Sequence, residues 1–161
     1  MALVEEFVKT GNKLFKHRSY LPLIFLVILV PGFMSAYNSN DSFFYNNIWK
    51  MICISISSFG LLLRVLTVGF VAPRTSGRNT KSQVANSLNT SGIYSIVRHP
   101  LYLANFFMWF GFMMFVPAWW VSVLFIFSFW LYYERIMFAE EDFLKNKFVD
   151  DYEKWANKTP A

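Results

Sequence analysis

Four long apolar blocks dominate this chain: LPLIFLVILVPGFM at 21–34, ICISISSFGLLLRVLTVGFVA at 52–72, LYLANFFMWFGFMMFV at 101–116 and WWVSVLFIFSFWLYY at 119–133. A helix on the surface of a water-soluble protein keeps a polar face, whereas these blocks have none. Each approaches the roughly 20 apolar residues that a helix needs to cross the hydrocarbon of a bilayer. Hydrophobic residues make up 55% of the chain against 16% charged, which excludes an ordinary soluble domain. The expectation is an all-α, polytopic membrane protein with about four transmembrane helices, followed by an amphipathic interfacial helix. The spans fall at about 20–37, 48–72, 101–116 and 118–138, within one membrane domain covering 1–161. Pro31 and Gly32 kink the first span, which neighbouring helices tolerate. Pro117 marks a tight connection, so spans three and four form a hairpin.

The charges orient these spans. Lys9, Lys13, Lys16 and Arg18 precede the first, Arg74, Arg78, Lys81 and Arg98 fall in the loop 73–100, and Lys145, Lys147, Lys154 and Lys158 follow the last. The stretch between spans one and two holds only Asp41 before Lys50, and the turn at Pro117 has no charge. Lysine and arginine accumulate on cytoplasmic loops, so four crossings with both termini cytoplasmic satisfy every loop. If the chain is bacterial this places it in the inner membrane; if eukaryotic, in an endoplasmic-reticulum-type membrane. Eighteen mixed residues precede the first apolar run and no small-residue cleavage site follows closely, so that run reads as a retained anchor. Cys53 is the single cysteine, which leaves no disulfide framework.

In the cytoplasmic tail, 139–157, Leu144, Phe148, Tyr152 and Trp155 recur at helical spacing with charges between them. This is the pattern of a helix lying on the membrane surface or covering the ends of the spans. The loop TSGRNTKSQVANSLNTSG is rich in Ser, Thr, Asn and Gly and is expected to be mobile.

No GxGxxG, Walker loop, HExxH or Cys/His metal spacing is present, and the two histidines, His17 and His99, are far apart in sequence. No metal and no nucleic-acid partner is therefore expected. Two polar clusters remain at the cytoplasmic ends of spans. SGIYSIVRHPLY leads Tyr94 into Arg98-His99-Pro100 and Tyr102, with Pro100 suited to the first turn of a helix. Free N–H groups there suit a carboxylate or phosphate; a basic interfacial anchor explains the same residues. YYERIMFAEEDF places Glu134, Arg135, Glu140 and Glu141 at the exit of the last span, as a site or as a solvated acidic face. Arg64 lies roughly 13 Å inside the cytoplasmic boundary at 1.5 Å per residue. Ionisable groups at such depth face a bundle interior or a polar cavity, and its partner would be Glu134 or an anionic substrate group.

Taken together, Tyr94-x-x-x-Arg98-His99-Pro100-x-Tyr102 and Arg135-x-x-x-x-Glu140-Glu141-x-x-Leu144-x-x-x-Phe148-x-x-x-Tyr152 resemble the isoprenylcysteine carboxyl methyltransferase and phospholipid methyltransferase superfamily. The resemblance covers roughly 92–160. It implies a membrane enzyme that uses S-adenosylmethionine, with Tyr94, His99, Pro100, Tyr102, Glu140 and Glu141 at the cofactor. Arg64, Arg98, Glu134 and Arg135 are then the candidates to place or activate the acceptor. Ala104 and Val149 depart from the pattern, each standing where relatives commonly have glycine.

The implied reaction is methylation of a membrane-embedded lipid or lipidated acceptor. The arginines favour O-methylation of a phosphate or carboxylate, which needs no base; N-methylation of a phospholipid amine would need one, and Glu134 is the candidate. A steroid-type reductase using NADPH, which shares an Arg-His-Pro-x-Tyr segment, and a non-catalytic membrane scaffold are the alternatives.

Overall fold

The computed structural model describes residues 2–37, 42–69, 71, 83 and 85–161. These form α1 (Ala2–His17), α2 (Leu21–Tyr37), the single turn α3 (Ser42–Tyr45), α4 (Asn47–Gly69), a 3-10 turn (Gly92–Ser95), α5 (Pro100–Met114) and α6 (Trp119–Ala156). The fold is all-α, with no strand among the described residues. Half of the polar loop expected to be mobile, 75–82 and 84, lies outside them.

α6 is the spine. Val121, Phe125, Phe129, Tyr133 and Ile136 recur every three or four residues and are buried on one stripe. α2 lies antiparallel beside the first part of that stripe: the Phe25 and Phe125 ring centroids are 4.8 Å apart, and a Cβ on Gly32 would meet the Val121 side chain at 2.7 Å. α1 continues along the second part. Phe7 packs on Phe138 at 5.6 Å, and the Tyr132 hydroxyl donates to the Leu14 carbonyl at 2.9 Å. Gly11 lets the two backbones touch, because a Cβ there would clash with the Arg135 carbonyl oxygen. α1 is therefore a docked helix, which the charge-rich sequence did not announce.

α5 packs on the other flank of α6 through aromatic pairs, Tyr102 with Tyr133 at 4.8 Å and Phe106 with Phe129 at 5.3 Å. α4 covers the outside of α5. A Cβ on Gly60 would lie 2.8 Å from the Ala104 carbonyl oxygen, and one on Gly111 would lie 2.6 Å from that of Cys53. The Ser57 hydroxyl donates to the Met108 carbonyl at 2.9 Å, and the Trp49 indole donates to that of Met114 at 3.1 Å. Small residues at close approach, with polar side chains bridging, are how helices associate where water does not drive them together.

The outward faces are apolar and bare: Val27, Met34, Met51 and Phe127 are each more than 60% exposed. Faces of this extent are the lipid-facing surface of a membrane protein. α4 and α6 are long and apolar enough to cross a bilayer; the apolar helices α2 and α5 have 17 and 15 residues.

The expected span 118–138 and tail helix 139–157 adjoin within α6, which continues past 138 and is kinked into two helices at Val149. Residues 134–148 contain neither glycine nor proline and are rich in strong helix formers, so the hydrogen-bond ladder continues into the tail. The turn comes at Val149, whose φ is 21° and ψ −93°.

Candidate functional site

Beside the α1–α2 turn, between α4, α5 and α6, lies a partly open cavity of about 390 Å³. That lies within the roughly 300–1,000 Å³ typical of small-molecule sites. Its walls come from the α1–α2 turn, α4, residues 83–101, α5 and α6.

The acidic wall is built locally. Gly92, with φ 62°, opens the 3-10 turn in the left-handed region that glycine enters without strain. The Ser95 hydroxyl closes the turn by donating to the Gly92 carbonyl at 2.7 Å. The chain then reaches His99, the N-cap of α5, with Pro100 in the first helical turn as its missing N–H allows. From α6, Glu141 receives Arg98 Nη1 at 2.9 Å and His99 Nε2 at 2.8 Å. Glu140, one residue earlier, accepts from the Tyr102 hydroxyl at 2.7 Å and lies 3.8 Å from His99 Nδ1.

The two neighbouring carboxyls are driven in opposite directions. Burial pushes Glu140 above the usual carboxylate range, and the attractions of His99 and Tyr102 only partly offset it. Burial also acts on Glu141, but the hydrogen bond and charge of His99 and the Arg98 guanidinium outweigh it, leaving Glu141 below that range. Glu141 is thus an anchored anion that orients Arg98 and His99, while Glu140 presents its carboxyl to the cavity. Burial, with the Glu140 charge, raises the Tyr94 phenol to about 12, so it stays neutral at physiological pH.

The tail completes this wall from behind. After Val149 the last turns of α6 fold over the segment 92–99. The Trp155 indole donates to the Tyr94 carbonyl at 2.8 Å, and the Arg98 N–H donates to the Pro160 carbonyl at 2.9 Å. Tyr152 is buried beside Arg98 and Glu141.

Two arginines from outside this segment also line the cavity. Arg64 lines the cavity and donates through Nη1 to the Asn105 side chain, and no carboxylate pairs with it among the described residues. Arg18, in the α1–α2 turn, also lines it, with its guanidinium 4.0 Å from the centre of the Phe15 ring.

Of the residues singled out from sequence, Arg64, Tyr94, Arg98, His99, Pro100, Tyr102 and Glu140 line the cavity, with Glu141 directly behind. Glu134 and Arg135 do not line it. They sit about 100° and 200° around α6 from Tyr133, at 100° per residue; Arg135 is turned towards α1, 5.5 Å from the Phe7 ring. Arg18, Asn105, Trp109 and Tyr133 line the cavity without having been singled out. Asn105 and Trp109 follow Tyr102 at three and seven residues on one helical face, and Tyr133 precedes Glu140 by seven, so helical spacing carried a signal for those three. Nothing local pointed to Arg18. No group of three or more His, Cys, Asp or Glu among the described residues could hold a metal ion.

Fold and cavity together describe a helical membrane protein with a cavity lined by charged and aromatic residues in an apolar bundle. Residues 77–151 match the family model for phospholipid methyltransferase. Among curated proteins, the chain is similar to a protein-S-isoprenylcysteine O-methyltransferase of Schizosaccharomyces pombe. The two are 36% identical over 75 residues, covering 46% of this chain and 31% of that protein. It is also similar to the cobalt-zinc-cadmium resistance protein CzcN of Cupriavidus metallidurans, 31% identical over 111 residues, covering 69% of this chain and 45% of that protein. The chain thus spans less than half the length of either relative. No solved structure matches it.

Proposed function

We propose that this protein is an S-adenosylmethionine-dependent methyltransferase acting on an anionic group, a phosphate or carboxylate, of a lipid or lipidated acceptor in the membrane. The observation that carries this reading is the mixed lining of the cavity: a partly buried carboxyl, aromatic rings and guanidinium groups come together in it, and the bundle around them is apolar.

The residues fit the cofactor. Glu140 offers a carboxyl to hydroxyl or ammonium groups, and the Tyr102 ring faces the same space, suited to a cation. Arg98 Nε is buried without a hydrogen-bond partner, a donor whose cost of burial a bound acceptor group would remove. Tyr94, His99 and Pro100 complete that wall, with Glu141 holding it in place. S-adenosylmethionine would supply an electrophilic methyl group on a sulfonium centre.

The chain's own work is then positioning and exclusion of water. Arg64, held by Asn105, would place the acceptor anion, while Phe15, Leu101, Phe143 and Leu144 line the cavity with apolar surface. An anionic oxygen nucleophile needs no base. Glu134, the base candidate for an amine acceptor, lies outside the cavity lining, which favours O-methylation over N-methylation. Arg135 would act on the docking of α1 rather than on substrate. The isoprenylcysteine O-methyltransferase relative supports a lipidated acceptor. We place the protein as one multi-pass domain with four crossings and both termini cytoplasmic, so that the cavity opens at the cytoplasmic end.

The test is incubation in native-lipid nanodiscs with S-adenosylmethionine carrying a labelled methyl group. Label in a lipid or lipidated fraction, released by mild base as esters are, is the expected result. Absence of label together with no calorimetric binding of the cofactor refutes the proposal, and protection by NADPH instead would assign a reductase.

A further inference from the structure

Towards α6, α1 and α2 bury Gly11 and Phe15, then Phe25, Leu29 and Gly32. The intervals are built from threes and fours, so the buried stripe keeps its phase across the turn between the two helices. The opposite face keeps the same phase and is exposed. Lys9, Lys13 and Lys16 begin it and Tyr20 continues it. Leu23, Val27 and Met34 carry it down α2. Along this outer stripe the chemistry passes from basic to aromatic to apolar. That is the order an anionic leaflet presents from water through the head groups to the hydrocarbon.

The levels agree. α1 runs antiparallel to α6, its Leu14 carbonyl accepting from the Tyr132 hydroxyl at 2.9 Å and its Gly11 lying against the Arg135 carbonyl. Lys13 and Lys16 therefore stand where α6 passes from its apolar run into Glu134-Arg135. Lys9 lies about 10 Å above Lys16 at 1.5 Å per residue, about one Debye length. Glu5 and Glu6 occupy the far end of the helix, away from the bilayer. None of the three lysines makes an ion pair among the described residues, whereas Lys145 in the tail meets Glu153 at 3.8 Å.

We propose that Lys9, Lys13 and Lys16 form a docking stripe for the head groups of anionic phospholipids, which thereby hold α1 in place on α6. Three ammonium groups on one helix face repel one another, and anionic head groups beside them remove that repulsion. Lysine suits the task, because its flexible stem reaches the head-group layer and its compact charge meets a phosphate without a fixed geometry. A zwitterionic surface offers no net charge to the stripe. The contact supports the cavity indirectly, since α1 carries Phe15 into its lining. The proposal rests on the chain spanning a membrane and not on the methyltransferase reading.

The test uses the full chain in phosphatidylcholine nanodiscs with a fluorophore on Tyr20→Cys; Cys53 is fully buried and stays unlabelled. Nitroxide-labelled phosphatidylglycerol or phosphatidylcholine, added as a minor component, quenches the fluorophore when it lodges beside the stripe. Phosphatidylglycerol should associate about tenfold more strongly, since each lysine near the surface is worth about fivefold and the more distant one is partly screened. Salt at about 1 M, where the Debye length is about 3 Å, should abolish that preference without any further substitution. Lys9→Gln/Lys13→Gln/Lys16→Gln should abolish it at low salt, and Lys9→Arg/Lys13→Arg/Lys16→Arg should keep it. Lys147→Gln/Lys154→Gln/Lys158→Gln, which removes as much charge from the tail, should keep it too. Discs containing phosphatidylglycerol should raise the Tm of the parent but not of the α1 glutamine triple, and equal melting of the two in pure phosphatidylcholine verifies that the triple is folded. Equal quenching by the two lipids in the parent overturns the proposal, as does a preference that survives high salt or the α1 glutamine triple. Equal loss in the tail triple also overturns it, because net charge alone would then set the preference. A Tm rise of the same size in parent and α1 triple removes α1 as the supported element and overturns it as well.

Discussion

Val149 should prefer glycine over alanine, the reverse of the order found within an ordinary helix. Its φ of 21° and ψ of −93° lie outside the regions open to residues with a Cβ, and a β-branched side chain is the least suited to such a position. A backbone held there stores about 1–3 kcal/mol. Val149→Ala keeps the Cβ and hence most of that strain, while Val149→Gly relieves the part that the Cβ causes, at an entropic cost of about 0.5–1 kcal/mol. Both variants lose the same half-exposed side chain, so that loss cancels in the comparison. Glycine should therefore be more stable than alanine by about 0.5–2 kcal/mol. Within a regular helix alanine would win by about 1 kcal/mol. For a chain of this length the difference corresponds to about 1–8 °C in Tm. Thermal unfolding of the two variants in the same detergent or nanodisc decides it, with Asp150→Gly against Asp150→Ala as the control pair in regular helix. If the alanine variant at 149 melts at or above the glycine variant, the backbone there is not strained and α6 does not turn at that residue. The consequence extends to the site, because this turn brings Trp155 to Tyr94 and Pro160 to Arg98.

Gly60→Ala and Gly111→Ala should each destabilise by about 1–3 kcal/mol through overpacking, since the new Cβ would press on the facing backbone; Gly69→Ala, with open space around it, should be neutral or slightly stabilising in the same melts. Glu140→Gln should raise Tm at neutral pH, because burial disfavours the ionised carboxyl, while weakening S-adenosylmethionine binding measured by calorimetry. Glu141 has the opposite sign: its folded-state pKa is depressed, so its stabilisation is complete above the ordinary carboxylate range and lost as pH falls through that range to the lower folded value. Tm measured over descending pH should therefore fall less steeply in Glu141→Gln than in the wild type, and parallel curves would remove Glu141 as the anchor of Arg98 and His99.

The approximate positions of the apolar helices were legible because hydrophobicity is read from one residue at a time and needs no knowledge of neighbours. The pairing of Arg98-His99 with Glu140-Glu141 was approachable for a similar reason. The two clusters flank the α5–α6 hairpin, and the short connection at Pro117 returns the second to the level of the first. Glu134 and Arg135 show the limit of such reasoning. They lie close in sequence to Tyr133 and Glu140, but one or two steps of 100° turn them off the cavity face. The helix runs on beyond 138 because a change from apolar to charged sequence marks a change of solvent, not an end of hydrogen bonding. The turn at Val149 was hidden because the residue there is one that ordinarily avoids turning.

By itself, the sequence determined the helical class, the apolar surface and the two polar clusters, all of which follow from local composition and the 3.6-residue period. Tertiary structure decided which charges meet. Arg18 reaches the cavity because Gly11 admits the α6 backbone and α1 runs antiparallel to it. Arg64 faces Asn105 because Gly60 and Gly111 set the register of α4 on α5. Close approach of backbones is a property of two surfaces at once, and no single stretch of chain contains it.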